Sequence, residues 1–142
     1  MDDPTQTLAA ETEAIREAYA ALNRNDINGF IRDFDPQIER IEFEGSPAGG
    51  TYRGLEAVRE HVAKGRSTWA EGSCEPTRFV VAGDKIVVFT HVRVRLNGQS
   101  DWIEGRTGDV YTFRNGKVIQ FRTFADENDA LEFAGADKTN TN

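Results

Sequence analysis

Residues 77–125 hold four runs of period-two alternation, "TRFVVA", "KIVVFTHVRVRL", "SDWIEGRTGDVYTF" and "KVIQFRTFA", with Gly83-Asp84, Asn97-Gly98 and Asn115-Gly116 between them. No other feature restricts the fold as much. Alternation places successive side chains on opposite faces of a strand. Asn-Gly is the strongest short hairpin signal, because both central turn positions want positive φ. The second half of the chain is therefore expected to be an antiparallel meander of long strands.

The first half reads as helices. Asp3-Pro4 resembles a cap followed by proline in the first turn. Leu8, Ile15, Tyr19 and Leu22 continue a helical stripe to about residue 23. Asp26 is placed to cap a second helix carrying Ile27, Phe30, Ile31 and Phe34, which Pro36 ends. "QIERIEFEG" is expected to be a strand, with Ile38, Arg40 and Glu42 on one face and Glu39, Ile41 and Phe43 on the other. Both faces mix apolar and charged residues, so the inner one stays open. "SPAGG" is a loop. A third helix is expected from about Gly54 to Ala70, with Leu55, Val58, Val62 and Trp69 near one stripe and Gly65 weakening its middle. Asp126 caps a last helix, "ENDALEFA", which stops at Gly135. Helices segregated from an antiparallel sheet make an α+β domain. Such a long, twisted sheet is expected to curl over the three N-terminal helices as a cone around an internal pocket. Residues 1–135 are read as one domain and 136–142 as a disordered tail.

Charge narrows the function classes. The 142 residues carry a formal net charge of -7, which argues against unspecific binding to nucleic acid or anionic membrane. The acidic N-terminus lacks an apolar signal core, and no apolar run approaches the roughly 20 residues of a spanning helix. A soluble, cytoplasmic protein is the expectation. Cys74 is the single cysteine and there are two histidines, with no metal-ligand spacing, phosphate loop or dinucleotide fingerprint. Any chemistry is expected to be acid–base chemistry without metal or cofactor.

Asp109 is the candidate that stands out. It shares a strand face with Thr107, Tyr111 and Phe113. A carboxyl group beside aromatic rings is wet, paired or neutral. A wet cone mouth, or pairing with Arg40 or Arg106, are the alternatives to a functional role. Tyr19 lies on the stripe of helix one and Glu42 near the end of the first strand, with Glu44 beyond it. Trp69, Thr90, Val92, Tyr111, Phe121 and Thr123 are expected to line the pocket, with plain packing as the competing reading. His91 alternates with Arg93 and Arg95, opposite Thr90, Val92 and Val94, so it is expected to point outward. His61 neighbours the stripe of helix three without a partner motif.

The phrases "YAALNRNDINGFIRDFDP", "GTYRGLEAVREHV", "AGDKIVVF" and "DVYTFRNGKVIQFRTF", followed by "ALEFAG", resemble the nuclear-transport-factor-2-like superfamily over about residues 8–135. Its SnoaL-like polyketide cyclases and ketosteroid isomerases are the nearest enzymes. The resemblance implies the cone, also called cystatin-like, and a homodimer formed through the sheet. Asp109 matches the hydrogen-bond-donating acid of the isomerases, which is kept protonated by an apolar site. It also matches the aspartate that serves as base in the cyclases. Tyr19 sits close to the isomerase tyrosine and Glu42 near the isomerase base. Some dehydrating relatives use a histidine–aspartate pair, which here requires His61 or His91 to turn inward. The function implied is isomerisation or aldol-type cyclisation of a small, carbonyl-containing, polyketide- or steroid-like molecule. A non-catalytic ligand binder and a dimeric adaptor are the alternatives.

Overall fold

The computed structural model describes residues 8–46 and 49–136; the Asp3-Pro4 start and all but the first residue of the expected tail lie outside them. Helix α1 spans Ala9–Asn23 and buries Ile15 and Tyr19, one turn apart, together with Ala21. Asn25, at φ 66°, turns the chain into Asp26, whose side chain caps α2 by accepting from the Gly29 N–H. That helix covers only Ile27–Phe30. Strand β1 begins at Phe34 and runs to Glu42, so Phe34 and Pro36 belong to a strand and not to the end of a helix. Pro36 falls where the pairing of β1 is irregular, between Phe34 and Glu39. A residue without an N–H fits there because no ladder hydrogen bond is asked of it.

Gly50–Arg53 forms a short strand, β2, that the sequence reading did not foresee. Helix α3 then spans Leu55–Ser67, and the long strand β3 follows at Trp69–Ala82. Trp69 thus opens a strand and does not close a helical stripe. β4 (Lys85–Leu96), β5 (Trp102–Arg114) and β6 (Lys117–Phe124) complete the meander. Helix α4 spans Glu127–Ala134, with Asp126 capping its start and Gly135, at φ 74°, its end.

The strand order is β2-β1-β6-β5-β4-β3 in one curved, unclosed sheet. The expectation of an antiparallel sheet needs one correction: β1 and β6 run parallel. Parallel neighbours need a long connection, and β2, α3 and the meander supply it. This pairing sets the first strand beside the last and brings Arg40 into register with Phe121.

The two faces of the sheet are covered unequally. The inner face packs against the first three helices, with Ile15, Tyr19, Phe30, Ile38, Val58 and Tyr111 in the main core. Helix α4 lies on the outer face, where Ala130 and Leu131 cover Val87, Phe89 and Val110. A Cβ on Gly108 would stand 2.6 Å from that of Ala130, so glycine is what lets this helix approach. Among the described residues no helix is long and apolar enough to cross a membrane.

Candidate functional site

Alternation along β5 turns Asp109 inward, and register sets it between Val88 on β4 and Thr123 on β6. Tyr19 arrives from α1. Its hydroxyl hydrogen-bonds Asp109 Oδ2, and Thr123 Oγ1 donates to Oδ1 at 2.6 Å. The Tyr111 hydroxyl donates in turn to the Tyr19 hydroxyl at 2.9 Å. Asp109 is only 4% exposed, so it is no wet rim residue. Arg106 cannot pair with it: that residue is exposed and falls on the opposite face by alternation. Burial is the main influence on Asp109 and raises its pKa above the ordinary carboxylate range; Glu42 adds to this, while Arg40 and the hydroxyls of Thr123 and Tyr19 oppose it. Both tyrosine hydroxyls are raised well above their usual value, by burial first and then by Asp109.

A second polar group lies beside this network. β1 directs Ile38, Arg40 and Glu42 inward: Ile38 and Arg40 are buried, and Glu42 is half-buried. The Arg40 guanidinium lies 3.8 Å over the Phe121 ring. Its Nη1 donates to the Ile41 and Phe121 carbonyls at 3.0 and 3.2 Å. Its Nη2 stands 3.2 Å from Glu42 Oε1. The other oxygen, Glu42 Oε2, is 2.7 Å from His61 Nε2, and Tyr52 stacks on that imidazole at 3.8 Å. Of the three catalytic candidates, Tyr19 and Asp109 are therefore bonded to each other, while Glu42 is engaged by His61 and Arg40. The histidine that turns inward is His61, and its partner is a glutamate. Sequence reasoning left His61 without a partner. Its position three residues after the fully buried Val58, on the same face of α3, was the available signal. Glu44 is exposed beyond the strand.

The residues expected to line a pocket have different surroundings. Tyr111 and Phe121 stack at 4.4 Å. Thr90 is fully buried and hydrogen-bonds Thr107. Trp69 and Val92 are only partly buried, and Arg66 covers the Trp69 ring at 4.7 Å. Aromatic rings fill the space around Tyr19, with Phe30 at 5.9 Å and Tyr111 at 6.2 Å. Two cavities lie elsewhere. One of about 550 Å³ sits on the outer face over Thr112, Gln120 and Glu39, and one of about 230 Å³ lies against α1 and α2. Glu42, His61, Val92 and Thr107 are half-buried. Cys74 is buried and its thiol is pushed up to about 12, mainly by burial, so it is no nucleophile at neutral pH. His91 does lie on the outer face, 2.7 Å from Glu104.

Comparison with known proteins places the fold. The chain matches the SnoaL-like domain family over residues 15–121. No curated protein matches it. Among solved structures, an NTF2-like protein of unknown function from Burkholderia pseudomallei is 25% identical; the match covers 90% of this chain and 99% of that one, with a TM-score of 0.74. TerC, co-crystallised with polyporic acid, is 24% identical, with 90% and 100% covered and a TM-score of 0.73. A putative SnoaL-like polyketide cyclase from Jannaschia is 15% identical, with 89% and 92% covered and a TM-score of 0.70.

Proposed function

Because the chain belongs to the SnoaL-like domain family, we propose that it moves protons, without a cofactor, on a small and largely apolar carbonyl compound. Taking a proton from beside a carbonyl needs a base, and donors that meet the oxygen as its charge grows. One observation carries the reading: Asp109 is an enclosed carboxyl group with no cation bonded to it among the described residues. As a neutral acid it has a hydrogen to give, and together with Tyr19 it makes a donor pair for a carbonyl oxygen. The half-buried Glu42–His61 pair, 2.7 Å apart, takes the proton. The substrate enters beside that pair, displacing the hydroxyl contacts around Tyr19. Isomerisation and aldol-type cyclisation of a polyketide- or steroid-like molecule are reactions of this kind. The co-crystal of TerC with polyporic acid supports a small-molecule ligand. The same proposal takes the protein to be a cytoplasmic homodimer joined through the outer sheet face.

The test is conversion of a cyclic β,γ-unsaturated ketone to its conjugated isomer, followed by ultraviolet absorbance. Asp109→Asn is expected to lower turnover about 100-fold or more while the circular dichroism spectrum stays that of the wild type. Conversion by the wild type with full activity in Asp109→Asn would overturn the assignment. A second reading has one observation in its favour: Tyr111, Tyr19, Thr123 and Asp109 already satisfy one another. On that reading the protein binds without converting, and polyporic acid is retained unchanged by wild type and Asp109→Asn alike.

A further inference from the structure

Among the described residues, the interior holds one guanidinium, Arg40, and two carboxyl groups, Glu42 and Asp109. Arg40 is 7% exposed and Asp109 4%. Two carboxylates around one buried cation cannot both be ionised cheaply, because the second finds no full counter-charge. The geometry says which acid holds the cation. Arg40 Nη2 faces Glu42 at 3.2 Å, and Nη1 is committed to two backbone carbonyls. Glu42 is fixed at both ends, since its other oxygen is bonded to His61, which is in turn clamped by the Tyr52 ring. Among the described residues, Asp109 is left with hydroxyl partners alone.

We propose that Glu42 is a positioning residue for Asp109: anchored by His61, it occupies the Arg40 guanidinium and so leaves Asp109 a carboxylic acid. This goes beyond proton acceptance by Glu42 and deepens the acid–base reading of the same site, on which its functional consequence rests. The groups that face Asp109 are consistent with it. Tyr19 comes from α1, Cys74 from β3, Tyr111 from β5 and Thr123 from β6, all neutral at pH 7 in this burial. Arg40 and Glu42 from β1 are the charged groups that act on it, with His61 of α3 reaching it only through Glu42. Because the pair on β1 is internally balanced, removing either member should move Asp109, and in opposite directions.

The experiment is infrared titration of the protonated-carboxyl C=O band that Asp109→Asn lacks. Glu42→Gln frees the cation, so the band is expected to titrate away at lower pH than in the wild type. Arg40→Met leaves the Glu42 charge unbalanced, so the band is expected to persist to higher pH. If Glu42→Gln does not fold, Arg40→Met still decides, since an unmoved band overturns the proposal. So does a shift of both variants in the same direction. The readout needs no substrate. A catalytically silent protein with these opposed shifts would sink the proposed reaction and leave the role of Glu42 standing, whereas turnover without the shifts would do the reverse.

Discussion

Two rows of side chains cross the same five strands, one residue apart and on opposite faces. The inner row runs Ile86, Tyr111, Phe121, Arg40, Tyr52, and the outer row Lys85, Thr112, Gln120, Glu39, Arg53. The backbone ladder is common to both, so the difference lies in solvent. In the outer row Arg53 meets Glu39 at 3.1 Å with its own side chain 74% exposed, and water screens the pair. In the inner row the Arg40 side chain is 9% exposed, and its two terminal nitrogens reach two carbonyls and Glu42 over an aromatic face. A charge in the dry row has to be answered group by group, and burial raises the pKa of the neighbouring Asp109, which has no bonded cation among the described residues. The proposed chemistry follows from that scarcity of counter-charge.

Breaking the comparison at its strongest point means removing the buried cation. Arg40→Ala is expected to destabilise by about 3–5 kcal/mol, because it strands Glu42. Arg53→Ala, its counterpart across the sheet, is expected to change stability by about 0–1 kcal/mol. Urea unfolding of the two variants checks both, and equal losses would show the rows to be alike. A smaller effect sharpens the outer row. The Thr112 hydroxyl is buried with no hydrogen-bond partner among the described residues, so Thr112→Val removes an unanswered polar group and is expected to stabilise by about 1 kcal/mol. A loss of stability in the same assay would mean that the hydroxyl is bonded, through water for example.

Much of this was legible in the chain. Strand alternation and the Asn-Gly turns marked the meander, and the Asp126 cap and Gly135 stop marked α4 at the bounds observed. The resemblance led to the fold and to the family. The inner face of β1 was not legible. Ile38 and Ile41 point opposite ways, and each face carries charge, so local pattern is balanced; the distant Phe121, paired in parallel, supplies a carbonyl and a ring that help make burial of Arg40 tolerable. β2 is short, with one partly buried residue, Tyr52, too little for a periodic signal. α2 is cut short because Phe34 is taken up by the sheet. The contact between Asp109 and Tyr19 joins residues 90 positions apart, and that between Glu42 and His61 spans a loop, β2 and the first half of α3. Residue type and face pointed to these groups, but no spacing rule pairs them.

The central claim is that Asp109 is a neutral acid in a dry interior, and its linkage to folding tests this most directly. A carboxyl group raised on folding binds its proton more tightly in the native state than in the unfolded one. Its stabilising contribution is therefore fully present below the ordinary aspartate value of about 3.9, and is lost as pH rises from there through the raised native value. Urea unfolding of wild type and Asp109→Asn across that range gives the difference at each pH. The expected result is a wild type that loses ground to Asp109→Asn as pH rises and then levels off. A wild type that gains on Asp109→Asn with rising pH, as an ion-paired carboxylate would, or a flat difference, contradicts the account.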